Sequence, residues 1–137
     1  MPNILDALQA LARELGAAGH DASLGLADQG APLLLWPWRV QPVAAARNLP
    51  PRRDPDGSLH RSSPPDELHC LLISRGDEAS FAALQSARQW LAEHPVIDVG
   101  GTGVQVTPQQ LPTAELTQLF IAAGRPMTLS AAYVLQG

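Results

Sequence analysis

The residue pattern predicts an α+β fold: a single domain with a mixed, mostly antiparallel sheet, about three helices packed against it, and a long Pro/Arg-rich arm. Three observations lead there. Leu68-His-Cys-Leu-Leu-Ile-Ser74 is apolar on both faces, the pattern of a central strand. Two stretches, Ile4 to Leu15 and Phe81 to Leu91, repeat apolar residues at helical spacing. Helical and strand-like segments intermix along the chain, and the connections are too short for repeated parallel crossovers.

Each element follows from its residues. Asn3 is a helix N-cap candidate, and Ile4, Leu8, Leu11 and Leu15 form one face that Leu5 and Ala12 widen; Gly16 and Gly19 end the helix. A short strand is expected around Ala22–Leu26, closed by Asp28-Gln-Gly30. Leu33 to Val40 alternates as a strand, with Leu34, Trp36, Trp38 and Val40 on one face and Leu33, Leu35 and Arg39 on the other. Pro37 cannot donate a ladder hydrogen bond, so it requires an edge position or a bulge. A helix over residues 77–93 buries Phe81, Leu84, Ala87 and Leu91 and turns Glu78, Gln85, Gln89 and Ala92 outward. Val96–Val99 and Val104–Val106 flank Gly100-Gly-Thr-Gly103 as a hairpin. Thr113 is expected to cap a short helix with Leu116, Leu119, Phe120 and Ala123 on one face, broken by Gly124-Arg-Pro126. Met127 to Leu135 closes the chain as a strand, with Met127, Leu129, Ala131, Tyr133 and Leu135 sharing a face.

The arm, residues 43–66, is the most unusual segment. Prolines at 42, 50, 51, 55, 64 and 65 and arginines at 47, 52, 53 and 61 surround Asp56-Gly57, where a hairpin turn is expected. Leu49 and Leu59 are its only large apolar side chains, too little area to offset the entropy of ordering the segment. Asp54, Asp56 and Asp66 lie among the arginines, so the arm is not a basic tail. Fixed-φ prolines with mixed charges suit docking on a protein, where arginine forks engage carboxylates. A solvated linker is the competing reading.

Composition removes several chemistries. The chain has 137 residues, one domain's worth, and its net charge of −4 offers no field for nucleic acid or anionic lipid. Every one of its 9 basic residues is arginine, so neither a P-loop lysine nor a Schiff-base lysine exists. Cys70 is the single cysteine, which excludes an internal disulfide and fits a reducing compartment. No basic region followed by an apolar stretch opens the sequence, so no signal peptide is expected, and no apolar run approaches ~18 residues. Charged residues make up 16%, against a usual ~25%, as in a surface covered by neighbours or in a small alanine-rich protein.

Candidate sites of chemistry are sparse. Histidines 20, 60, 69 and 94 show no i,i+4 pairing, so no metal site is expected. His69 and Cys70 are adjacent in a strand and project to opposite faces, a poor catalytic pair; Cys70 reads as an inert core residue. His94 sits at a helix C-terminus, where a cation suits the dipole. Gly100-Gly-Thr-Gly103 leads into a strand rather than a helix and so lacks a phosphate cradle. Asp66-Glu67 and Asp77-Glu78 are adjacent carboxylates near strand and helix ends, the second pair suited to a helix N-terminus. No cofactor and no catalytic residue is expected.

An ordered set of motifs is similar to a known family. Pro50-Pro-Arg-Arg-Asp-Pro-Asp-Gly-Ser-Leu-His-Arg-Ser-Ser-Pro-Pro65 followed by Leu68-His-Cys-Leu-Leu72, then His94-Pro-Val96, Val104-Gln-Val-Thr107, Glu115-Leu116, Leu119-Phe120, and Pro126-Met-Thr-Leu-Ser130 with Tyr133, resembles the N-terminal domain of cap, or tail-terminator, proteins. These belong to contractile injection systems, the phage-tail-like particles of the Photorhabdus virulence cassette and antifeeding-prophage type. Leu33–Val40 matches the early apolar strand of that domain. Cys70 departs from its usual aromatic and Phe120 from its common tryptophan. The resemblance implies a non-catalytic structural protein across residues 1–137, assembled in the cytoplasm as a hexameric ring on inner tube and sheath proteins and fixing particle length. It implies no nucleic-acid or membrane partner. Partner contacts are expected from Arg47, Leu49, Arg52, Arg53, Leu59 and Arg61 of the arm and from Trp36 and Trp38. A tail-completion or neck protein of a related particle, a small adaptor domain, and an enzyme with a dispersed site are the alternative readings.

Overall fold

The computed structural model describes residues 3–27, 30–43, 52–60 and 66–137. Helix α1 spans Ile4–Ala17, with the Asn3 side chain accepting from the Leu5 and Asp6 amides. It runs through Gly16 and stops at Gly19, whose φ of 88° allows the paired bonds Gly19 N–H to Gly16 O and His20 N–H to Leu15 O. Strand β1 (Ala22–Leu24) follows, then β2 (Leu33–Pro42), the two short strands β3 (Arg52–Arg53) and β4 (Leu59–His60), and β5 (Asp66–Ser74). Helix α2 (Glu78–Glu93) is capped by Asp77 in a reciprocal exchange with Ser80. Strands β6 (Val96–Val99) and β7 (Thr102–Gln109) lead to α3 (Thr113–Ala123) and β8 (Ser130–Gln136).

The main sheet has six strands in the order β1-β2-β5-β8-β7-β6. Only β1 and β2 run parallel; the other neighbours are antiparallel. The mixed sheet and its three helices match the fold expected from the residue pattern. β5 lies inside the sheet, and residues 68–74 are all buried, as their two-sided apolar pattern requires. Its alternation separates two cores. Leu68, Cys70 and Leu72 join the larger, beneath α1 and α2; Leu71 and Ile73 join the smaller, against Phe120 of α3. The helices therefore cover opposite faces of one sheet.

Five local expectations are corrected. The β2 register slips between Pro37 and Arg39, leaving Trp38 as the extra residue of a bulge. Val40 then pairs opposite Leu68 and Arg39 opposite His69, so Val40 departs from the Leu34/Trp36 face, because directly opposed residues share a face. Leu5 lies outside the α1 core face at 53% exposure. Met127 and Leu129 are also exposed, at 49% and 58%, and lie ahead of β8, which begins only at Ser130. Phe81 is half-buried, while Ser80 takes an interior position through its capping bonds. Thr113 is the first residue of α3 rather than its cap; the cap position is Pro112, which makes no side-chain bond, and the Thr117 hydroxyl donates to the Thr113 carbonyl.

The β6–β7 turn uses Gly100 and Gly101, with φ of 60° and 88°. Two successive positive φ values are the signature of the tight turn whose twist suits paired strands. The loop opens no helix, so the glycines serve the hairpin.

Candidate subunit-contact site

The predicted contact residues fall on two elements. Trp36 and Trp38 lie on β2 and pack, partly buried, against the smaller core. Trp38 meets the ring of His69 edge-on at 5.4 Å. Its Nε1 is buried and has no hydrogen-bond partner among the described residues. Among the described residues, the outer half of β2 has β5 on one side only, because β1 pairs with Leu33, Leu34 and Leu35.

Arg52, Arg53 and Leu59 fall on the ribbon of β3 and β4, in which Arg52 pairs with His60 and Arg53 with Leu59. The turn is closed by Gly57 N–H to Asp54 O and by Asp54 N–H to Ser58 O. Ser58 donates from its backbone and hydroxyl to Asp56 Oδ1, at 2.9 and 2.7 Å, which lowers the Asp56 pKa. A turn at Asp56-Gly57 was legible from the residue types, because Asp and Gly are the pair such a turn favours. The Arg53 side chain is exposed. Arg47, Leu49 and Arg61 lie outside the described residues.

A polar cluster near the bulge was not anticipated. Glu67 accepts from Gln41 Nε2 and, at 2.7 Å, from Gln136 Nε2, and it faces His69 Nε2 at 3.1 Å. His69 Nδ1 lies 3.1 Å from Gln109 Oε1. The cluster joins β2, β5, β7 and β8 on the face that Leu71 and Ile73 share. Its bonded partners are 26 to 69 residues apart except for Glu67 and His69, so no spacing rule reveals it. The only visible signal was a histidine and a glutamate two residues apart in an apolar strand.

The Gln41 bond, aided by His69 and Gln136 and opposed by desolvation, holds the Glu67 carboxyl below its ordinary pKa. A carboxylate whose folded pKa is depressed contributes stability above its unfolded value and loses it as pH falls through the folded one. Melting temperature should therefore drop on acidification through that range, and Glu67→Gln should flatten this limb. Identical acid limbs in both proteins would contradict the assignment.

The other titratable candidates have structural roles. Cys70 is fully buried, and desolvation pushes its thiol up to about 12, so no reactive thiolate forms near neutrality. His94 Nδ1 bonds to the Trp90 carbonyl at 2.9 Å while the two rings stack at 4.4 Å, which ends α2. Among the described residues, no group of three or more His, Cys, Asp or Glu side chains could hold a metal ion. No helix of the described residues is long and apolar enough to cross a membrane.

No protein-family model and no curated protein matches the chain. Its architecture is nevertheless one found in proteins that terminate the tubes of contractile particles. The sheath/tube terminator of PVC, an extracellular contractile injection system, in its extended state aligns with a TM-score of 0.69 and 15% identity over 99% of this chain and 56% of its own. The tube-terminating cap of the anti-feeding prophage aligns with a TM-score of 0.71 and 14% identity over 98% of this chain and 54% of its own. At such identity the likeness establishes a shared fold. This chain spans about half the length of each of those proteins.

Proposed function

We propose that this chain is a structural subunit of a contractile injection system, a cap or tail terminator that closes the distal end of the inner tube and sheath and fixes particle length. The observation that carries the reading is the extent of the fold match, which takes in 99% and 98% of the chain in two terminator structures. The ordered motifs from Leu33 to Leu135 support it independently of the fold. In this reading residues 1–137 act as one cap domain with an arm at 43–66, without catalysis or cofactor.

The subunits close as a homo-oligomeric ring, a hexamer by the resemblance, because a ring satisfies every edge by symmetry. Partner contacts come from Arg47, Leu49, Arg52, Arg53, Leu59 and Arg61 of the arm and from the Trp36/Trp38 stretch of β2. The outer edge of β2 and the buried Trp38 Nε1, neither of which has a partner among the described residues, support that assignment. Inner tube and sheath proteins are the neighbours, and assembly proceeds in the cytoplasm before incorporation into the particle.

Mass photometry of the purified chain, alone and with the inner tube and sheath proteins of a contractile particle from the same host, tests the proposal. Rings or tube-bound complexes are expected, with electron microscopy placing them at one end of tubes of uniform length. A chain that stays monomeric and leaves tube length unchanged would instead fit an adaptor.

A further inference from the structure

β7 leaves the sheet before β8 ends. Their last pair is Gln109 with Ala132, after which Gln110-Leu111-Pro112 turn into α3. β8 and its lead-in continue beside β5, where Ile73 pairs with Ser130 and the Ser74 N–H donates to the Leu129 carbonyl at 3.0 Å. Among the described residues, the neighbourhood of Ser130 thus has β5 on one side and the space vacated by β7 on the other.

Ladder phase determines which backbone groups face that space. Along an antiparallel strand, successive residues turn their N–H and C=O groups to alternate sides. Leu129 turns its carbonyl to β5, so Ser130 turns its backbone groups to the vacated side. Pro108 confirms the phase: lacking an N–H, it takes a position that does not bond to β8 and leaves that task to Thr107 and Gln109. The Ser130 hydroxyl oxygen is buried and has no hydrogen-bond partner among the described residues.

Two grooves border this edge. One, of about 340 Å³, is lined by Arg88, Gln110, Leu111, Ser130 and Tyr133 among others. The other, of about 420 Å³, runs along Pro126 to Leu129 with Phe81 and Arg125. Met127 and Leu129 are 49% and 58% exposed there. Among the described residues no Asp or Glu lines either groove, and the charged lining residues are Arg75, Arg88 and Arg125. In a chain of net charge −4 this is a local reversal of sign. Arg88 lies beside the Tyr133 hydroxyl, a neutral group, and Arg125 Nη1 donates to the Leu26 carbonyl at 3.2 Å. Both guanidinium groups retain donors beyond these contacts, since each carries five N–H groups.

The geometry points to an extended acidic segment of a partner protein that adds to the β8 edge at Ser130 as a short strand. Its main chain bonds to the Ser130 N–H and C=O, its carboxylates meet Arg88 and Arg125, and its apolar side chains cover Leu129 and Met127. Strand addition takes its affinity from main-chain bonds and its selectivity from alternate side chains. The site belongs to the single subunit, so its test does not depend on the cap reading.

Fluorescence anisotropy with the labelled peptide EVDVEV tests it, against KVKVKV and two copies of the acidic peptide N-methylated at odd or at even amides. The acidic peptide is expected to bind and the lysine peptide not to. Only one edge of an added strand bonds to the protein, so one methylated copy should weaken by ~10-fold or more and the other bind nearly as before. Arg88→Glu should also weaken binding by about 10-fold. No binding of EVDVEV, equal effects of the two methylation patterns, or unchanged binding to the Arg88→Glu protein would each overturn the proposal. The methylated peptides leave the protein unaltered, so folding cannot account for their result.

Discussion

Reversal of Arg52 and Arg53 to glutamate should abolish end-capping of tubes while leaving the subunit folded. The two arginines pair in register with His60 and Leu59 on a ribbon separate from the six-stranded sheet, and the Arg53 side chain is exposed. Removing one partner of a buried interfacial charge pair costs about 2–5 kcal/mol, and reversal adds repulsion. Two reversals should therefore weaken association by at least ~100-fold. Electron microscopy and mass photometry of the double variant give the result, with circular dichroism confirming the fold. Capped tubes of normal length made by this variant would exclude the ribbon as a docking element.

Leu72→Ala should give the largest loss of stability among single truncations of the sheet. Leu72 is 1% exposed, pairs with Leu35 on one side and Ala131 on the other, and lies in the core beneath α1 and α2. Truncation of such a leucine costs about 2–5 kcal/mol through lost burial and the cavity left behind. That is a large share of a stability of ~5–15 kcal/mol. The melting temperature should fall by about 10 °C. Leu129→Ala supplies the control: at 58% exposure it should change stability by ~0.5 kcal/mol or less. Comparable losses in the two variants would contradict the two-core description.

The correctly read elements share a physical basis. Asn3 and Asp77 cap their helices through bonds to amides at most three residues away, so local sequence contains the whole interaction. The hairpin glycines and the Asp56-Gly57 turn are equally local. β5 was legible because burial on both faces tolerates only apolar residues along most of its length. The errors have a different origin. Strict alternation placed Val40 with Trp36, but one inserted residue at Trp38 changed the face, and only the partner strand reveals that insertion. Met127 and Leu129 continue the pattern of β8 in sequence, yet β8 begins only after them. Of the proposed contact residues, Trp36 and Trp38 were placed on the correct strand, and Arg52, Arg53 and Leu59 on a hairpin. The Glu67 cluster escaped because its glutamines are brought in by three other strands.

The sequence by itself determined the helices, the central strand, the tight turns and the absence of lysine chemistry, because propensity, capping and hydrophobic period act over a few residues. Only the tertiary structure decided the strand order, the division into two cores, the polar cluster around Glu67 and the edge that β7 leaves open beside Ser130. These depend on register between strands distant in the chain, and register is set by the packing of all six strands together.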